Sequence, residues 1–189
     1  MQNLTMTPLQ TKRLTIRRFM PEDWENLFEY RSHPDVCRFQ GYEPYSRERC
    51  KTFTEIQSRN VYGEAGKWFQ LAIELTAEKK LIGDIGLKPE SFDPRIVEFG
   101  ITLSHLYQGC GYAKEALKAM LHYLFTQQQA HRIVGITDQE NTGCIRLLEK
   151  TGFRKEGDTI QSFWNNNMWR DEYIFALPLT IVWSRLFFL

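Results

Sequence analysis

The stretch Tyr107-Gln108-Gly109-Cys110-Gly111-Tyr112-Ala113-Lys114 stands between a strand pattern and a helix pattern, and this junction constrains the chain more than any other feature. Upstream, Val97, Phe99, Ile101 and Leu103 alternate with Glu98, Gly100 and Thr102, the period-2 signature of a strand. Downstream, Ala113, Ala116, Leu117, Met120, Leu121 and Leu124 recur at helical spacing. The first turn of such a helix carries backbone N–H groups without intrahelical partners and the positive end of the helix dipole. Gly109 and Gly111 add no Cβ to keep an anion away, so the junction predicts a pyrophosphate site. A P-loop is excluded, because Tyr112-Ala113 stands where its Lys and Ser/Thr belong. The dinucleotide fingerprint GxGxxG is half present, since Lys114 replaces its third glycine.

Periodicity predicts strands over 12–19, 68–75, 81–87, 96–103, 132–137, 154–162 and 168–177, and helices over 21–32, 46–60, 111–128 and 142–151. Short connections at 76–80 and 92–95 make the middle an antiparallel meander. The later strand-helix-strand order calls for parallel pairing with a helical crossover. The expected fold is a mixed α/β sheet.

At 189 residues and 42% hydrophobic, the chain is long enough to bury one full core and too short to require two. Twenty-four basic and 23 acidic residues balance to a net charge of +1, which argues against nucleic acid as a partner. Cys37, Cys50, Cys110 and Cys144 show no metal-ligand spacing, so no metal is expected, and the absence of a signal sequence at the start points to the cytoplasm. The apolar tail 179–189 is too short to span a membrane and is expected to pack on the domain or against a twin subunit in a homodimer.

Gln108-Gly109-Cys110-Gly111-Tyr112-Ala113 resembles Gln/Arg-x-x-Gly-x-Gly/Ala, the acetyl-CoA pyrophosphate loop of the GCN5-related N-acetyltransferase (GNAT) superfamily. A second block, Asn141-Thr142-Gly143-Cys144-Ile145-Arg146-Leu147-Leu148-Glu149-Lys150-Thr151-Gly152-Phe153, is similar to the Asn-x-x-Ser-x-x-Leu-x-Glu-Lys-x-Gly-Phe stretch of its RimJ/RimL branch, which acetylates protein N-termini. It follows the strand candidate 131–137, in the order that family has. The resemblance covers about residues 8 to 178, and it implies one GNAT-like domain over 1–178 with a mostly antiparallel central sheet flanked by helices. It also implies acetyl transfer from acetyl-CoA to a primary amine, on a protein N-terminus or a small molecule, by direct attack in a ternary complex.

Residue by residue, the resemblance implies a pyrophosphate on Gln108, Gly109, Cys110, Gly111, Tyr112 and Ala113. It implies the pantetheine arm paired with the strand at Ile101 and Leu103 and touching Asn141, which is also a candidate helix N-cap. Glu98 stands where the superfamily often has a glutamate base; the other reading is a solvated strand residue. Gly100 permits a bulge or a close backbone approach. The acid is less defined. The superfamily's tyrosine is replaced by Leu148 and the branch's serine by Cys144, so Cys144 is either the donor to the leaving thiolate or a small core residue, with water or Tyr173 as other donors. Lys114 and Arg146 are either contacts to CoA phosphates or ordinary exposed basic residues on their helices.

For the acceptor, Phe39, Tyr42, Tyr45, Phe53, Tyr62, Trp68 and Phe69 suggest an aromatic groove, and the glutamates at 43, 48, 55 and 64 a welcome for cations. Two other readings stay open: an acyl-CoA-binding module without turnover, given the missing serine and tyrosine, and a nucleotide enzyme built on Gly109 and Gly111.

Overall fold

A computed structural model describes residues 7–165 and 167–180. The strands are β1 (Leu9–Gln10), β2 (Leu14–Arg18), β3 (Phe69–Leu75), β4 (Lys80–Pro89), β5 (Ile96–Leu103), β6 (Arg132–Asp138), β7 (Arg154–Asn165) and β8 (Met168–Pro178). The helices are α1 (Trp24–Arg31), α2 (Pro34–Cys37), α3 (Arg47–Arg59), α4 (Tyr112–Thr126) and α5 (Thr142–Lys150). One sheet holds the strands in the order β1-β2-β3-β4-β5-β6-β8-β7. Only β5 and β6 are parallel neighbours within it. The expected mixed, mostly antiparallel α/β sheet is what the chain forms, and its parallel step uses α4 as the crossover.

Strand alternation gives the sheet two apolar faces. In β3, Leu71 and Ile73 join Ile85, Leu87, Val97 and Phe99 beneath α4 and α5, whereas Ala72 turns to the opposite layer with Leu27, Tyr30 and Phe19. Helix α4 buries Ala116, Leu117, Met120, Leu121 and Leu124, the stripe its spacing predicts. Pro21 opens a 3-10 turn, Pro21–Asp23, and the α-helix proper starts at Trp24. Two differences from the sequence reading have local causes. Helix α2 is a four-residue turn opened by Pro34, too short to show periodicity. Strands β7 and β8 reach further toward each other than expected because their register shifts between Lys155/Gly157 and Thr159/Phe163, which breaks the alternation that marks a strand. Of the apolar tail, Leu179 rests on the core and donates its N–H to the His131 carbonyl at 2.9 Å; residues 181–189 lie outside the described residues.

Under the sheet's second face lies a buried ion pair. Arg31 Nη2 meets Asp84 Oδ1 at 2.6 Å, and the Tyr30 hydroxyl donates to Asp84 Oδ2 at 2.7 Å. Arg31 and Asp84 are 3% and 2% exposed. Burial disfavours the guanidinium charge, but Asp84 together with Tyr42 and Tyr30 outweighs it and the net shift is upward. Asp84→Leu, which strands Arg31 without a counterion, should cost about 3–5 kcal/mol of stability. Adding Arg31→Met should recover most of that loss, as read from urea unfolding midpoints of the single and double variants.

Candidate active site

Strands β5 and β6 pair only from Ile96↔Arg132 to Phe99↔Gly135. At the last pair a Cβ on Gly135 would sit 3.0 Å from both the Phe99 ring and Leu148 Cδ2. A glycine is needed there because Phe99 and the side of α5 press together over the backbone. Beyond it the strands part: Gly100–Leu103 stays paired with β4, and Ile136–Asp138 with β8. Each strand therefore turns one edge of backbone groups toward the gap, where an extended chain bearing amides can hydrogen-bond. A cleft of about 710 Å³ opens at this fork.

The chain leaves β5 through the 3-10 turn His105–Tyr107 and enters α4 through the glycine loop. Gly109 and Gly111 have φ of +76° and +83°, the left-handed region that side chains resist. Gly111 is the N-cap of α4 and no side chain caps that helix, in contrast to α3, capped by Ser46, and α5, capped by Asn141. The first-turn N–H groups thus remain open to an anion. Gln108 braces the loop by donating from Nε2 to the Leu103 carbonyl at 3.1 Å. Leu103 itself is buried in the core.

Arg13 is a member of this site that sequence reasoning missed. Its Nε meets Glu115 Oε2 at 2.7 Å, its Nη1 donates to the Cys110 carbonyl at 3.2 Å, and its guanidinium lies 4.1 Å from the centre of the Tyr112 ring. Hydrogen bonding to Glu115 pushes its guanidinium further up. A fixed positive charge therefore stands beside the glycine loop, brought there by pairing across about a hundred residues that no local pattern announces. Lys114 and Arg146 are exposed on their helices.

Asn141, Cys144 and Leu148 line the cleft from the α5 side. Asn141 Oδ1 accepts from the Cys144 N–H at 3.1 Å, which confirms the cap and leaves its Nδ2 to donate elsewhere. Burial raises the Cys144 thiol, and the neighbouring Thr137 hydroxyl pulls the other way. Across the cleft, Glu98 and Ile101 line the β5 side. Glu98 is half-buried and its carboxylate is paired with Lys88 Nζ, a partner on β4 that the sequence did not reveal. Together these give the cleft a carboxylate on one wall and a thiol on the other, groups able to accept and to donate a proton.

Four expectations are corrected. Gly100 makes no bulge: β4 and β5 pair without a shift from Gly83↔Leu103 to Pro89↔Val97, and the irregularity falls instead between Ile73 and Glu74 of β3. Tyr173 is not among the residues lining the cleft, because it packs edge-on against Phe175 with Lys155 Nζ 3.4 Å from its ring centre. Of the aromatic set, Phe39, Tyr42, Tyr45, Phe53 and Trp68 line the cleft, while Tyr62 and Phe69 pack against each other in the other layer. The glutamates at 43, 48, 55 and 64 do not line it either; the carboxylates that do are Asp84, Glu98, Asp138 and Glu172. Phe163 and Asn165 of the β7–β8 hairpin complete the wall, with Asn165 Nδ2 donating to the Arg38 carbonyl at 3.1 Å. Among the described residues, no cluster of three or more His, Cys, Asp or Glu is placed to hold a metal ion, and no helix is long and apolar enough to cross a membrane.

An open sheet whose two parallel strands part beside an uncapped glycine loop is the architecture of an acyl-CoA-dependent transferase. A family model described as an acetyltransferase (GNAT) domain matches residues 13–154, and the chain belongs to that family of acyltransferases. It is 33% identical over 169 residues to the uncharacterized N-acetyltransferase YnaD of Bacillus subtilis, covering 89% of this chain and 95% of that one. The crystal structure of a GNAT-family acetyltransferase from Bacillus anthracis superposes with a TM-score of 0.81 at 31% identity, over 91% of this chain and 98% of that one. The spermidine N-acetyltransferase of Vibrio cholerae, solved with CoA and spermine, shares the fold with a TM-score of 0.76 at 23% identity, over 90% of this chain and 98% of that one.

The four cysteines should separate by reactivity. Cys110 is exposed on the loop, whereas burial pushes the Cys50 thiol up to about 11. Iodoacetamide at neutral pH should modify Cys110 first and Cys50 last, as read by peptide mass spectrometry; equal rates in the folded protein would contradict this placement.

Proposed function

We propose that the protein moves the acetyl group of acetyl-CoA to a primary amine by direct attack in a ternary complex. The observation that carries this reading is the parting of β5 from β6 directly beside an uncapped, glycine-lined helix N-terminus. The pyrophosphate lies on the N–H groups of residues 109–113 beside Arg13. The pantetheine amides pair with the free edge of Gly100–Leu103 and with Asn141 Nδ2. The thioester then stands between Glu98 and Cys144. Glu98 takes the proton of the attacking amine, and Cys144 gives one to the departing CoA sulfur.

The charges of the cleft narrow the acceptor. Asp84, Glu98 and Asp138 already have basic partners in Arg31, Lys88 and Arg170, and Glu172 accepts from the Ser162 hydroxyl at 2.8 Å. Among the described residues, a polyamine therefore finds a single lining carboxylate, Glu172, without a cation beside it, whereas aromatic side chains line much of the remaining wall. These features favour a single amine on an apolar or aromatic body, either a small molecule or the N-terminal residue of a peptide. A free-thiol release assay with acetyl-CoA against arylalkylamines, N-terminal peptides, aminoglycosides and spermidine tests both donor and acceptor; preference for spermidine would overturn the acceptor assignment.

Gly109 sits in open space, so an alanine there meets no protein atom but must hold a left-handed backbone, at about 1–2 kcal/mol. Gly109→Ala should weaken CoA binding at least about tenfold by calorimetry. Inhibition by pantetheine, which lacks the pyrophosphate, should be unchanged; equal loss for both ligands would move the pyrophosphate elsewhere.

Glu98→Gln keeps the shape of the side chain and removes its ability to take a proton. Steady-state transfer near neutral pH should fall on the order of 10²-fold with CoA affinity unchanged. A rate within a few-fold of wild type would return Glu98 to a structural role as the partner of Lys88.

A further inference from the structure

We infer that Gln70 is a specificity-determining residue of the acceptor side: its carboxamide oxygen accepts a hydrogen bond from a hydroxyl at the far end of an aromatic amine whose ring rests on Trp68. The inference deepens the reading of the cleft as an amine site and rests on it. Gln70, Gly86, Gly100 and Trp68 all line the cleft, and β3, β4 and β5 are in register there at Gln70↔Gly86 and Gly86↔Gly100. Two neighbouring strands therefore show bare backbone, and the Trp68 indole takes the space. A Cβ on Gly86 would sit 3.0 Å from Trp68 Cε3, and one on Gly100 would sit 3.9 Å from its Cη2. The same Cβ on Gly86 would also sit 2.6 Å from Gln70 Nε2 and 3.0 Å from Gln70 Oε1, so only a residue without a side chain lets the carboxamide lie against β4. The indole stays 40% exposed, an aromatic surface turned to the cleft.

Gln70 is held in place but not satisfied. Its N–H donates to Gln57 Oε1 at 3.2 Å, and that oxygen also accepts from Asn60 Nδ2 at 3.1 Å, so α3 fixes the start of β3. Its own Oε1 is buried and has no hydrogen-bond partner among the described residues. Buried polar atoms are nearly always paired in folded proteins, and methionine would fill the place without orphaning a carbonyl. Tyr42 Oη and Thr137 Oγ1 line the cleft unpartnered as well, but a hydroxyl can donate or accept, whereas a carboxamide oxygen only accepts and so specifies a donor on the ligand. Lys88 Nζ lies 5.3 Å from the centre of the Trp68 ring, which disfavours a second ammonium on that surface and leaves a neutral hydroxyl as the donor. Glu98 lies two residues before Gly100 on the same face of β5. Strands about 5 Å apart and a rise of about 3.4 Å per residue put its Cα about 12 Å from that of Gln70, before either side chain reaches into the cleft. An amine at Glu98 and a hydroxyl at Gln70 are then about one aromatic ring and a short alkyl arm apart, with Trp68 as the surface between them.

The test compares tyramine with phenethylamine, which differ by the hydroxyl alone, and Tyr-Gly-Gly with Phe-Gly-Gly, which carry the same difference on a peptide N-terminus. In wild type, kcat/KM should favour the hydroxylated member of at least one pair by about tenfold or more, and the pair that shows it tells small molecule from peptide. Gln70→Met and Gln70→Leu, which lack an acceptor oxygen, should bring that ratio to within about twofold of one, while Gln70→Glu, which keeps one, should hold it. Calorimetry of the same amines with the CoA-bound protein reads the ratio in Kd without any transfer. A wild-type ratio near one in both pairs would overturn the inference, as would a ratio unchanged in Gln70→Met and Gln70→Leu or a failure of all four amines to bind. A hydroxyl preference in binding that Gln70→Met abolishes, without transfer to any amine, would overturn the acetyl-transfer reading and uphold the role of Gln70.

Discussion

Parallel strands normally share a continuous ladder, and the arrest of pairing between β5 and β6 at Phe99↔Gly135 is the constraint on which the site depends. The ring of Phe99, tilted against Phe153 with centroids 5.4 Å apart, and the side chain of Leu148 meet over Gly135, so α5 is held tight at the base of the fork. Past that point the two strands are claimed by different neighbours, β4 on one side and β8 on the other. Unpaired backbone groups at a buried strand edge are normally avoided. Here both edges end where the glycine loop and the capped start of α5 come together, because parallel strands deliver their C-terminal ends to the same side of a sheet.

Electrostatically, the cleft is divided rather than uniformly charged. Arg13 sits against the glycine loop, donating to the Cys110 carbonyl, and is held by Glu115 on the same helix that offers its N-terminus. Deeper in, carboxylates and basic groups form separate pairs, of which Arg31–Asp84 is fully buried and Lys88–Glu98 half-buried. Pairing of this kind weakens the long-range field that steers polycations, which is the physical basis of the aromatic-amine acceptor proposed above.

Much of this was legible in the sequence where the signal is local. The alternation of 97–103, the helical stripe of α4, the strand-loop-helix order around Gly109 and Gly111 and the Asn141 cap each depend on residues a few positions apart, and each is found where the pattern puts it. What was illegible depends on contacts between distant segments. Arg13 beside the loop, Lys88 on Glu98 and Arg31 on Asp84 are side-chain meetings that carry no period. Of the two roles Gly100 permits, a bulge and a close backbone approach, the bulge is absent. A glycine in a strand marks close approach or missing bulk, and here it leaves the cleft wall open, with only the Trp68 ring 3.9 Å from where a Cβ would be.

The two halves of the cleft also have different origins along the chain. In the proposed reading, the donor half is built from β5 through α5 with Arg13 added from just before β2, whereas the acceptor wall joins Phe39, Tyr42 and Tyr45 to the tip of a hairpin well over a hundred residues later, with Asn165 reaching across to the Arg38 carbonyl. Hairpin tips tolerate insertion and exchange far better than packed crossovers do. A lineage can thus alter the lip formed by Phe163 and Asn165 and acquire new amines while its acyl-donor chemistry is inherited unchanged, which makes the hairpin the natural place for related enzymes to diverge in taste.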